Sequence, residues 1–160
     1  MTTDRRVPIE WLLIAAILIG GALLRGVAPA TPPLTEPEAR HTLLAAAEAG
    51  QPPSLTGMAA LGAPTDAAYH ALTALVFQGF GTGDGAARAV PMLAGALLLG
   101  LPLLARRWLG RWETLVAILL FALSPALTTV ARTASGRSLA LLGISFVGLC
   151  LMELWTGNKP

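Results

Sequence analysis

Apolar residues run in four long blocks bounded by polar or charged positions, at residues 8–27, 86–105, 115–131 and 139–155. Each block is close to the roughly 20 residues that carry a helix across about 30 Å of hydrocarbon. The few charges within them, Glu10, Arg25, Arg88 and Glu153, fall near the block ends. Long side chains can reach the interface from there. Pro91, Pro102 and Pro125 lie in or near the blocks. Neighbouring helices can re-satisfy the lost backbone bonds, so kinks rather than breaks are expected. Residues 28–85 form a different kind of segment, with shorter patterns of its own. Residues 36–49 predict a short helix, stopped by Gly50 and "QPP". Residues 67–80, "AAYHALTALVFQGF", predict an apolar helix of about four turns. That is too short to span, so an interfacial or re-entrant helix is expected. "GTGDG" then separates it from the second block. The fold these patterns predict is an all-α, polytopic integral membrane protein. It is one membrane domain, 1–160, with four transmembrane helices and short extracytoplasmic helices in 28–85.

Composition strengthens this reading. Hydrophobic residues make up 54% of the 160 and charged residues 12%, against about 25% charged in a soluble domain. Mean hydropathy is +0.66. A net charge of +2, with no basic run interleaved with aromatics, excludes nucleic acid as the expected partner and leaves the lipid bilayer. The single Cys150 sits in an apolar run, so neither a disulfide framework nor a thiol metal site is expected. His41 and His70 are isolated in sequence, so no metal or cofactor is expected. The start of the chain resembles a signal peptide, with basic "TTDRR", an apolar middle and "APA" at residues 28–30. Arg25 at the end of the apolar stretch, and the later blocks, favour an uncleaved first span.

Arginine placement gives an orientation. Arg5, Arg6, Arg106, Arg107, Arg111 and Lys159 fall on one side; Arg25, Arg40, Arg88, Arg132 and Arg137 fall on the other. The dense "ARRWLGRW" turn marks the first side as the inner one. Both termini are then expected in the cytoplasm, with the chain in the cell's inner or plasma membrane and residues 28–85 outside. Trp108, Trp112 and Trp155 suit the inner interface.

Three motifs bear on chemistry. In "TEPE", Thr35 can cap a helix while Glu38 folds back to its N–H, the reciprocal spacing of a capping box. Pro37 is acceptable in that first turn. "GTGDGAAR" looks like a phosphate loop but has no strand before it and no Lys after it. A turn is expected, with Asp84 capping the second span. Arg132 and Arg137 flank "TASG" and could either grip a phosphate or reach lipid headgroups. Gly95 and Gly100, Ala94 and Ala105, and Gly143 and Gly148 read as helix-contact residues.

The order of these pieces resembles the front part of the GT-C class of membrane glycosyltransferases. The closest likeness is to the branch similar to dolichyl-phosphate-mannose-protein mannosyltransferases, or flippase-associated. The stretches that carry the likeness are "LLRG", "EPEARHTLLAAAEAG", "PP", "AAYHALTALVFQGFG", "GDGAARAVPMLAGALLL", "ARRWLGRW" and "LLFALSPALTTVARTASG". The resemblance implies an enzyme taking sugar from a polyprenyl-phosphate donor, with a carboxylate after the first span acting at the acceptor. Glu38 matches the Glu of an Asp-Glu pair, Pro37 stands where the Asp usually is, and Glu36 is the substitute. Arg88, Arg132 and Arg137 would hold the donor phosphate. The family has eight or more spans, so the resemblance implies a truncated or split relative, or a front half serving in a larger assembly. The alternative is a non-catalytic transmembrane subunit packed against other membrane proteins. A Glu38 acting as base must face a cavity; a Glu38 acting only as a cap need not.

Overall fold

A computed structural model describes residues 9–27, 33–50 and 66–157. The "APA" of residues 28–30, the Pro-Pro pair at 52–53, and Arg5, Arg6 and Lys159 lie outside them. The described residues form helices α1 (Ile9–Gly26), α2 (Glu36–Glu48), α3 (Ala67–Phe80), α4 (Asp84–Leu104), α5 (Arg106–Leu109), α6 (Arg111–Leu123), α7 (Pro125–Arg132) and α8 (Arg137–Gly157). Among the described residues there is no strand. The protein is all-α. Helices α1, α4 and α8 are each long and apolar enough to cross a membrane, and α6 with α7 makes a fourth, broken span if the bent pair is counted as one.

The third predicted span is where the structure departs from expectation. α6 and α7 meet at a bend of 56°. Pro125 has no N–H to give the carbonyl of Phe121, and its ring clashes with that carbonyl in a continuous helix. α6 therefore ends at Leu123, and Ser124 turns to extended backbone (φ −63°, ψ 114°). Ser124 then caps α7, its Oγ accepting the N–H of Leu127 at 3.4 Å, with Pro125 in the first turn. This is a break, not a kink. Pro91 and Pro102, by contrast, stay inside an uninterrupted α4.

α4 is the centre of the molecule, touching α1, α3, α6, α7 and α8. Small residues allow the closest approaches. A Cβ on Gly95 would fall 2.3 Å from the Cβ of Ala131 in α7. One on Gly21 of α1 would fall 2.9 Å from Leu99 Cδ1 and 3.1 Å from the Cβ of Ala122. Gly95 is thus a contact residue as expected. At Gly100, Gly143 and Gly148 a Cβ meets nothing within 4 Å, so no close approach within this chain requires a glycine there. α8 lies on the rim, and beyond Ser138 each of its described side chains is at least partly exposed.

The two ends of the bundle differ. At one end Glu10 of α1 accepts from Arg106 and from Arg111 Nε, the latter at 2.7 Å. Arg107 pairs with Glu153, and Trp108 Nε1 donates to Thr156 Oγ1 at 3.0 Å. The Arg106 and Arg107 guanidiniums lie over the rings of Trp11 and Trp108. The first and last helices therefore begin and finish at the same end, beside the "ARRWLGRW" turn. α2 and α3 cover the opposite end. There Ala45 and Ala46 pack with Tyr69, Phe77, Ala87, Val90 and Ala134.

Candidate functional site

The site is the start of α2. Thr35 takes extended backbone (φ −70°, ψ 162°), Pro37 occupies the first turn, and the capping box is formed. Glu38 Oε2 accepts the Thr35 N–H at 2.8 Å and the Thr35 hydroxyl at 2.9 Å. The same oxygen lies 3.4 Å from Arg88 Nη2 of α4. The other oxygen, Oε1, accepts the N–H of Ala134 at 2.8 Å, in the turn between α7 and α8. One side chain thus joins three parts of the chain far apart in sequence. It is 5% exposed. A carboxylate offers about four acceptor sites, and here four donors meet it.

The charge on Glu38 follows from those donors. Burial works to raise its pKa. The backbone N–H groups of Thr35 and Ala134, the Thr35 hydroxyl and the Arg88 charge oppose it and prevail, holding the carboxyl below its ordinary range. Glu38 is a stable anion in a fixed position. Neither the groove beside Val76, Phe80 and Leu93 nor the one beside Asp66, Tyr69 and Gly136 is lined by it.

The other sequence-predicted residues are divided among separate tasks. Glu36, two residues earlier, is exposed. Arg88 is 3% exposed and faces Glu38. Arg132 Nη2 donates to the carbonyl of Val27 at 2.7 Å, tying α7 to the end of α1. Arg137 opens α8 and is exposed. The expectation that Arg25 and Arg88 reach outward from their helix ends is corrected, since both are buried. Their carbonyl and carboxylate acceptors lie inside the bundle, so the guanidiniums fold inward.

Two features escaped the sequence reading. Arg25 donates from Nη1 to the carbonyl of Gly21 and from Nη2 to that of Phe121, each at 2.9 Å. Phe121 is the carbonyl that Pro125 cannot serve, so an arginine from α1 fills the gap in the broken span. The signal was there, as one Arg inside the first span and one Pro inside the third, but nothing linked them. The second is a histidine pair. His41 Nδ1 lies 3.1 Å from His70 Nε2, across the α2–α3 contact. The two are isolated in sequence and paired in space. His70 is fully buried, and its pKa is lowered by burial and by the neighbouring His41, with Glu48 and Asp66 pulling the other way. Tyr69 beside it donates to the carbonyl of Ala87 at 3.0 Å. No group of three His, Cys, Asp or Glu among the described residues can hold a metal ion. No protein-family model matches the chain, and neither a curated protein nor a solved structure matches it.

Proposed function

We propose that the chain is a glycosyltransferase-like membrane module, related to polyprenyl-phosphate-sugar-dependent enzymes, that works as a non-catalytic subunit among other membrane proteins. The observation that carries this reading is the filled coordination of Glu38. A general base needs a free lone pair facing its substrate. The Glu38 lone pairs face Thr35, Ala134 and Arg88. Its role is then to hold the start of α2 against α4 and the turn between α7 and α8. The likeness to the GT-C class supports the ancestry of the framework and not a reaction by this residue.

A second reading keeps catalysis and moves it to Glu36. It is favoured by the exposure of Glu36 and Arg137 at the same end of the bundle. In that reading Glu36 acts at an acceptor hydroxyl, and Arg137, with Arg132, meets the phosphate of a polyprenyl-phosphate-sugar donor. The test uses the full chain in its native membranes and in lipid vesicles. The subunit reading expects co-purifying membrane proteins, no sugar transfer from a labelled polyprenyl-phosphate-sugar by the chain alone, and no effect of Glu36→Gln on partner recovery. Sugar transfer by the chain alone, abolished by Glu36→Gln or Glu38→Gln with folding intact, overturns it.

A further inference from the structure

The inward face of α3 mixes polar and apolar groups, with Tyr69, His70, Thr73 and Phe77 all fully buried. Its outward face is apolar, with Leu72 at 42% and Leu75 at 63% exposed, and Phe80 at its end at 87%. At 3.6 residues per turn, Ala68, Leu72, Leu75 and Gly79 form one stripe. Val76 and Phe80 flank it on one side, and Ala67, Ala71 and Gln78 on the other. The Val76–Phe80 flank faces α4, across a groove of about 680 Å³ that Met92 and Leu93 complete. Leu93 and Leu97 of α4, each 64% exposed, continue the apolar surface down the span.

We propose that the outward face of α3 is a lipid-contact surface: the helix lies in the plane of the membrane with Leu72, Leu75 and Phe80 among the acyl chains, and Gln78 at the water edge. Three observations commit this face to lipid. The apolar stripe runs through the groove onto the exposed face of a helix long and apolar enough to cross the bilayer. The helix has 14 residues, about 21 Å at 1.5 Å per residue, so it cannot cross about 30 Å of hydrocarbon. Tyr69, His70 and Thr73 all face the protein, the Tyr69 hydroxyl donating to Ala87, so the stripe of Ala68, Leu72, Leu75 and Gly79 carries no polar side chain. An apolar face of this kind binds by sinking into the boundary between headgroups and acyl chains. The inference holds under either functional reading.

Spin labels test it in the full chain, with Cys150→Ser as background and reconstitution into phosphatidylcholine nanodiscs. Single cysteines replace Leu72, Leu75, Phe80 and Gln78, all exposed positions, so the labels leave the core intact. The expected result is a higher ratio of oxygen to water-soluble nickel collisions at 72, 75 and 80 than at 78. Nickel access at 75 and 80 equal to that at 78 overturns the proposal in favour of a watery face. Exclusion of both reagents at 72 and 75 overturns it in favour of a protein partner.

Discussion

Glu38 shows how one residue can answer two sequence patterns at once. Its spacing from Thr35 makes it a cap, and its carboxylate also reaches Ala134 and Arg88. Glu38→Gln puts an amide NH₂ where one oxygen met donors. It should cost about 1–3 kcal/mol through a buried donor left facing donors. Glu38→Ala removes one member of a buried pair and should cost about 3–5 kcal/mol. Thermal unfolding of the purified chain in detergent reads both; a Gln variant as stable as wild type would contradict the geometry. The pH dependence has a definite sign. The folded Glu38 pKa lies below its unfolded value, so its contribution is complete above about pH 4.3. It is lost as pH falls from there through the folded value. His70 acts in a higher window. Its folded pKa is also lowered, so the unfolded chain binds the proton first. Stability of the α2–α3 layer should fall as pH drops below about 6.5. Hydrogen exchange in α2 and α3, corrected for intrinsic rates, should speed up between neutral pH and pH 5. His70→Phe should flatten that response, and an unchanged slope in the variant would assign it to another group.

At the scale of elements, the broken span and the arginine of α1 form a complementary pair. Pro125 withholds an N–H from the carbonyl of Phe121, and Arg25 supplies one. Arg25→Met keeps much of the volume but leaves the carbonyl without that donor, a loss of about 1–3 kcal/mol. Pro125→Ala restores a backbone N–H four residues after Phe121. The double variant R25M/P125A should therefore be more stable than the sum of the single changes predicts. The coupling, read from unfolding midpoints in a double-mutant cycle, vanishes if the two groups act independently. This pair also marks the limit of what the sequence could tell. Hydrophobic blocks placed α1, α4 and α8 within two residues of their ends, because span length is set by the bilayer and read from composition alone. The α2 cap was equally legible, since its residues are local. The break at Ser124, the inward turn of Arg25 and the meeting of His41 with His70 depend on which helices become neighbours. No local pattern encodes that.

The whole molecule has two unlike ends, and that asymmetry predicts a topology. One end gathers Arg106, Arg107 and Arg111 with Glu10 and Glu153, among Trp11, Trp108 and Trp112. The other carries the α2–α3 layer and the turn between α7 and α8. Two carboxylates hold that turn: Glu38 accepts from Ala134 N, and Asp66 Oδ2 accepts from Gly136 N at 3.3 Å. α1 starts and α8 finishes at the arginine-rich end, so a bundle that spans a membrane is expected to present both on one side. Short basic turns are retained in the cytoplasm, so the arginine-rich end is expected inside and α2 outside. Gly110 is a poor reporter of this, since its φ of +97° disfavours any side chain. Leu109 and Glu48 are exposed and take helical backbone. With Cys150→Ser as background, Glu48→Cys should react with an impermeant maleimide added outside intact cells. Leu109→Cys should react only after the membrane is opened. Labelling of Leu109→Cys from outside, with Glu48→Cys protected, would invert the topology and place the Glu36 end in the cytoplasm. The second functional reading would then need a donor presented on the inner leaflet.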